Sequence, residues 1–410
     1  MGQLRKIAVV AAAMLLVAVL PARSADGVTA NDTALFLAGM MPSADSPLMP
    51  LTRDPSWQRH AKFFDAAFAQ LEQRQLSKIR SWAAANLAVP KPTMFYMFSG
   101  PDFLYADAFY ANATTYVLSA LEPPGSVPDL SKLPPGGVGA ALYNVERSMG
   151  SILSFSFFIT KHMKVDLREG QLSGTLPILY VFLARSGKTI REVSPVALDD
   201  RGAAHFAGEN PGRNATHGLR IVFSGSDGQQ RTLYYFSTDL SNPGVRATGF
   251  LKFCETLAPG DSLIKSASYL LHSGNFSTVR EFLLARSATI IQDDSGIPLA
   301  DYSPRKWRFF PFGRYAGPID QFPRMYQPNY AELFRRAQPL DFGIGYRWRS
   351  YESNLLLAVR LAADDPGGAD AAAAAPWAEP AQPKPSRPPG PRPPAPAPVG
   401  QSQRFFWFWR

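Results

Sequence analysis

Two short acidic turns carry the residue types best suited to chemistry. The first is Phe98-Ser99-Gly100-Pro101-Asp102, which follows the apolar run Thr93 to Met97. A polar turn at the end of a buried strand is where open α/β sheets present reactive groups. Asp102 in that place has the chemistry of a general base, a nucleophile or a cation ligand. Its alternative is an Asx-type turn that only caps the next segment. The second turn is Gln292-Asp293-Asp294-Ser295-Gly296. Adjacent carboxylates suit a hard cation such as Mg²⁺ or Ca²⁺. Both reach one ion only if the chain turns there, because neighbours in an extended stretch point to opposite faces. Asp102, Asp293 and Asp294 are therefore the candidate catalytic residues, with Asp293 and Asp294 the candidate metal ligands.

Other constellations are weaker. The run Trp307-Arg308-Phe309-Phe310-Pro311-Phe312-Gly313-Arg314-Tyr315 has the aromatics and Arg that stack on sugars or flat ligands. It reads equally as an irregular segment packed on the body. Ser99, Asp293 and either His162 or His272 supply the residue types of a Ser-His-Asp triad, with no spacing to support one. There is no Gly-x-Ser-x-Gly elbow, phosphate-binding loop or dinucleotide fingerprint. The five His residues make no zinc-protease pair. The sole cysteine, Cys254, lies in an apolar stretch and reads as a buried structural thiol. No intramolecular disulfide can form, so the fold rests on its core. The net charge of +9 is spread along the chain with no compact basic stripe, which argues against nucleic acid as a partner.

These turns need a frame, and the chain supplies one of α/β type. Asp54-Pro55 opens an amphipathic helix with Phe64, Phe68, Leu71, Ile79 and Trp82 at helical spacing. Strands are expected at 93–98 and 115–121. A helix is expected from about 138 to 162, and 174–185 is ambiguous between helix and strand. Residues 190–198 look extended. Leu219–Phe223 and Thr232–Phe236 flank an Asp-Gly turn and predict a hairpin. Further along, helices are expected at 262–272 and 277–286, a short strand at 288–292, a helix at 330–337, and a closing pair of strands at 342–348 and 355–361. Residues 25–52 show no clear period.

The ends differ from the body. Arg5 and Lys6 precede the apolar run Ile7 to Leu20, and Ala22 and Ser24 stand at the minus-three and minus-one positions for cleavage before Ala25. That is the layout of a secretory signal, with an uncleaved anchor as the alternative. Residues 363–403 are rich in Ala, Pro and Gly, a composition that cannot bury a core. They carry an aromatic tip in which Phe405, Trp407 and Trp409 suit contact with a membrane surface. The expected organisation is a signal peptide (1–24), an irregular segment with an amphipathic helix (25–92), an α/β body (93–362) and a disordered tail (363–410).

Within the body two stretches look alike. Leu183-Ala-Arg-Ser186 matches Leu284-Ala-Arg-Ser287, and without a gap Ile190 meets Ile291, Glu192 meets Asp293, and Ser194 meets Ser295. The pattern predicts two related halves, about 93–205 and 219–310, around mixed sheets with flanking helices. Val193 stands where Asp294 does, so any shared site is expected to be asymmetric.

The motifs Phe98-Ser-Gly-Pro-Asp-Phe-Leu-Tyr-Ala106, Gln292-Asp-Asp-Ser-Gly-Ile-Pro-Leu299 and Tyr315-Ala-Gly-Pro-Ile319 resemble a family of uncharacterised exported bacterial proteins over roughly residues 55–360. The resemblance implies export and a single module, and brings no activity, fold or ligand. The expectation is an exported protein, periplasmic or extracellular, with no transmembrane helix in the mature chain. It acts as a binding or envelope-associated module for a small ligand or an envelope partner. The alternative is a metal-assisted hydrolase using Asp102, Asp293 and Asp294, with Mg²⁺ or Ca²⁺ as cofactor.

Overall fold

The computed structural model describes residues 27–87, 90–130, 133, 136–158 and 172–361. The expected signal peptide and its cleavage near Ser24, His162, and the tail with Phe405, Trp407 and Trp409 lie outside the described residues. Among the described residues no helix is long and apolar enough to cross a membrane.

The frame is one ten-stranded mixed sheet. Its strands are β1 (Thr93–Met97), β2 (Thr115–Ala120), β3 (Thr189–Leu198), β4 (Ala204–His205), β5 (Thr216–Ser224), β6 (Gln230–Ser237), β7 (Gly260–Ile264), β8 (Ser287–Gln292), β9 (Trp307–Gly313) and β10 (Asn354–Arg360). Their spatial order is β4-β3-β5-β6-β2-β1-β7-β8-β10-β9. The five central strands, β6-β2-β1-β7-β8, run parallel. Antiparallel strands extend both edges. Numbered along the chain, the parallel core has the order 3-2-1-4-5, the doubly wound arrangement.

Helices cover both faces, which explains why β1 and β7 are buried at every position. Side chains alternate between faces with period two. Met94 and Tyr96 join one core cluster and Phe95 and Met97 the other. The first face is covered by α1 (Ala30–Leu37), α2 (Pro55–Leu71), α3 (Ser77–Asn86), α4 (Phe103–Phe109), α5 (Gly137–Ser154) and α6 (Leu176–Arg185). The second face carries α7 (Asn242–Ala247), α8 (Phe250–Thr256) and α9 (Ser277–Arg286). A last helix, α10 (Pro328–Phe334), packs in a small cluster with Leu299 and Leu356.

Asp54 caps α2 by accepting from the Ser56 N–H at 2.8 Å. Between α2 and α3 the backbone makes one π turn, Glu72–Leu76. The extra residue swings Gln75 inward, where it is fully buried.

Several expectations need correction. Residues 262–272 are not a helix: Ser262, Leu263 and Ile264 belong to β7, between β1 and β8. A short apolar run reads alike for a buried strand and a buried helix, and only its neighbours decide. Residues 25–52 contain α1, whose N-cap Thr29 accepts from the Asp32 N–H at 3.0 Å. The irregular segment expected at 307–315 is largely β9, and it is the partner of β10. Residues 342–348 form only an isolated bridge between Ile344 and Arg347. The ambiguous 174–185 stretch is helical.

The internal duplication is not shown. A helix end followed by a strand does recur at 183–190 and 284–291. However, β3 lies antiparallel to β5 near one edge, whereas β8 lies parallel to β7 inside the sheet.

Candidate functional site

β1 and β7 are neighbours, yet the chain leaves them towards opposite faces. From β1 it enters α4 on the first face, and from β7 it runs to α9 on the second. A crevice must open at their carboxyl ends, the topological switch point where ligands of open α/β sheets sit. A pocket is found there, lined among others by Tyr96, Phe98, Ser99, Phe157, Phe158 and Tyr346. The space inside it open to water-sized groups is about 90 Å³. That is room for several waters or a very small molecule.

The two loops at this point are held in an unusual backbone conformation. Among the described residues four non-glycine residues have φ in the left-handed region, and all four are here: Phe98 (62°), Ser266 (53°), Ser268 (52°) and Tyr269 (54°). Such conformations cost of order 1–3 kcal/mol each and persist only where the surroundings over-determine them.

The floor of the pocket is an ion pair. Lys265 Nζ lies 2.8 Å from Asp102 Oδ2, with the two side chains 1% and 2% exposed. The same ammonium donates to the Ser156 carbonyl and sits 3.7 Å from the centroid of the Tyr105 ring. Asp102 accepts further bonds from Tyr96 Oη at 2.8 Å and from the Tyr105 N–H at 3.2 Å. Tyr105 in turn donates to Gln75 Oε1 at 2.5 Å, so the π turn of the first face braces the ring under the lysine. Burial pulls the Lys265 ammonium below its ordinary value, against the opposing pull of Asp102 and Asp293. Burial, then the charge of Asp102, pushes the Tyr96 phenol well up, so Tyr96 remains a donor.

Behind the pair stands the second acidic turn. Asp293 accepts from the Ser266 N–H at 2.9 Å, the Ser295 N–H at 3.0 Å and Ser295 Oγ at 2.5 Å. Burial and the neighbouring charge of Asp294 push its carboxyl up to about 6. Asp294 turns to different partners, accepting from Tyr269 Oη at 2.5 Å and Asn354 Nδ2 at 2.9 Å. Burial raises it as well. Gly345, at φ 66°, lets the chain pass close to Asp293: a Cβ there would lie 1.8 Å from the carboxylate.

One residue of the pocket lining carries an unpaired hydroxyl. Ser266 Oγ is buried with no partner among the described residues. Tyr346 Oη accepts from Ser268 Oγ at 2.7 Å and donates to the Ser266 carbonyl at 3.1 Å, fixing the loop that carries it.

The structure thus brings Asp102 and Asp293 close enough for both to act on Lys265, with Asp102 lining the pocket and Asp293 in the turn behind it, while Asp294 turns to other partners. The carboxylate oxygens of all three face protein donors. Among the described residues no group of three or more His, Cys, Asp or Glu side chains is placed to hold a metal ion. Ser99 Oγ donates to the Gly100 carbonyl at 2.7 Å, and the His272 ring packs on Tyr269 with centroids 5.2 Å apart. Burial lowers the His272 imidazole to about 4. The aromatic run from Trp307 lies in the edge strand β9, with Arg360 over the Trp307 ring at 4.7 Å. Cys254 is buried in α8, and burial raises its thiol.

Sequence reasoning missed Lys265, Tyr96, Ser266 and Tyr346. One signal was present: a lone lysine directly after Ser262-Leu263-Ile264, at the end of an otherwise apolar run. Compared with family models, with curated proteins and with solved structures, the chain matches none.

Proposed function

We propose that the chain is an exported binding protein whose ligand sits in the switch-point pocket between β1 and β7. The observation that carries this reading is the union, at one place, of a pocket and every left-handed non-glycine residue among those described. Strain of this kind clusters at ligand clamps and active sites. The pocket's charges neutralise one another, since Lys265 pairs with Asp102. What it offers a ligand is therefore a free hydroxyl at Ser266 and the rings of Phe98, Phe157, Phe158 and Tyr346. Such a lining suits a small, neutral, polar molecule with one apolar side. Export rests on Arg5, Lys6, the apolar run Ile7–Leu20, and Ala22 and Ser24 before Ala25.

A thermal-shift screen of the full chain against monosaccharides, polyols, hydroxy-aldehydes, Mg²⁺ and Ca²⁺ tests the reading. A true ligand stabilises the native protein, and Ser266→Ala weakens it by about threefold to tenfold, the worth of one hydrogen bond. Compounds that stabilise the Ser266→Ala and Phe157→Ala variants as well as the native chain would place the ligand elsewhere. Stabilisation by Mg²⁺ or Ca²⁺ that Asp293→Asn abolishes would move the metal-assisted hydrolase ahead.

A further inference from the structure

We propose that Lys265 is the nucleophile of this pocket, capturing a small aldehyde or ketone as an imine. The inference rests on the pocket being a ligand site and adds the chemistry performed there. Among the described residues Lys265 is the one lysine whose side chain is buried in the core, and it lines the pocket wall. A structural role alone explains it poorly. It follows a fully buried parallel strand, where an apolar residue would continue the core at no electrostatic cost. A buried ion pair is commonly no more stable than well-packed apolar residues of the same volume.

The neighbours are those an amine nucleophile requires. A carboxylate stands 2.8 Å away to take its proton, and the Tyr96 hydroxyl and Tyr105 N–H hold that carboxylate in place. Burial favours the free amine. Each unit by which an amine's pKa falls raises its free fraction at neutral pH about tenfold. Ser266, another residue of the pocket lining, has a buried Oγ without a partner among the described residues, and a turn of its side chain would bring it to the carbonyl oxygen.

The step balances. Lys265 passes one proton to Asp102, and the amine lone pair attacks the carbonyl carbon. An N–C bond forms, and the C=O π pair moves to oxygen, which takes the proton back from Asp102. Asp102 then accepts a second proton from nitrogen and delivers it to the hydroxyl, which leaves as water while the nitrogen lone pair closes the C=N bond. In sum, an ammonium and a carbonyl compound give a protonated imine and water, with no change of oxidation state. The product is still a cation beside Asp102, so the buried charge balance is the same before and after. That equality is the physical advantage of pairing the lysine with a carboxylate here.

The experiment treats the full-length protein separately with glycolaldehyde and with pyruvate, adds cyanoborohydride to reduce any imine, and maps the adducts by peptide mass. At limiting probe, Lys265 is expected to carry more adduct than any other lysine, since burial favours its free amine and Asp102 stands ready to take its proton. Lys265→Arg, which keeps the cation, should lower total incorporation to the surface background. Asp102→Asn should slow the labelling of Lys265 while leaving surface lysines unchanged. If the Lys265 peptide stays unmodified with both probes while surface lysines react, the covalent role is overturned. In that case, ligands still found through Ser266 in the thermal-shift screen would leave the pocket reading standing. With neither adduct nor ligand, both fall.

Discussion

Strand β7 has a buried charged residue near each end, and the two surroundings differ. Asp261, at its amino end, accepts from the Lys91 N–H at 2.7 Å, the Thr289 N–H at 3.0 Å and Thr289 Oγ1 at 2.7 Å. It sits where the pairing of β7 with β8 shifts register, and its carboxylate takes up donors that the ladder leaves there. Neutral donors satisfy it, and among the described residues the left-handed non-glycine positions all lie at the other end of the strand. Lys265, just past the carboxyl end, has a buried counter-charge, a π turn bracing the ring beneath it, and strained loops around a pocket. A buried charge held by local backbone donors is a clamp. One held by another buried charge, next to empty space, has a cost that packing alone does not explain.

The largest expected effect tests that contrast directly. Asp102→Ala strips Lys265 of its partner and should destabilise the protein by about 3–5 kcal/mol in urea unfolding. Adding Lys265→Met to an Asp102→Leu change should bring stability back close to that of the native chain while abolishing the adduct. If the double change stays as unstable as the single one, the pair is structural and the comparison fails.

Asp261→Ala should cost about 1–2 kcal/mol, because it takes the acceptor from the part-buried Lys91 and Thr289 N–H groups. Labelling of Lys265 should be unaltered. A variant that folds normally but loses the adduct would show that the two ends of β7 are not independent.

The third prediction concerns pH. The Asp293 carboxyl is raised in the folded protein to about 6 from an ordinary 3.8, mainly by burial. The folded state therefore binds more protons than the unfolded state between these values. Its contribution to stability is whole below the unfolded value and is lost as pH rises through the folded one. The melting temperature of Asp293→Asn relative to the native chain should accordingly climb between pH 4 and pH 7. A difference that is flat over that range would mean that burial does not set this group's ionisation. His272 gives the opposite slope. Its imidazole is depressed to about 4 by burial, so its contribution is present above the unfolded value and lost on acidification. The single substitution is needed to separate the two.

The smallest effect is the relief of strain. Ser266 has φ 53° and a hydroxyl with no partner among the described residues. Ser266→Gly should raise stability by about 1 kcal/mol or less, since glycine adopts that conformation without steric cost. The same change should weaken any ligand found in the pocket. A loss of stability instead would mean that the hydroxyl serves the fold.

Legibility in the sequence followed how local each cause was. Thr93–Met97 and Thr115–Ala120 read correctly as strands, because an unbroken apolar run between Pro-rich and Gly-rich turns leaves few alternatives. The 219–236 hairpin followed from its Asp-Gly turn, and α2 from Asp54-Pro55. Ser262–His272 misled because apolar density alone does not distinguish a strand flanked by two parallel neighbours from a buried helix. The resemblance between 183–200 and 284–301 misled for a related reason. A helix-to-strand junction is a local motif, and where its strand enters the sheet is not.

By itself the sequence determined the α/β class and most of the central strands, through periodicity and turn chemistry that act over a few residues. It also marked Asp102 and Asp293 as acidic turns at strand ends. Only the tertiary structure decided that both turns come close enough to act on Lys265, beside a crevice that Asp102 lines. Residues 102, 265 and 293 are far apart along the chain, and the order in which β1, β7 and β8 lie side by side is what brings them together. That order is set by which faces the helices cover, a property of the whole packed core that no short window of residues contains.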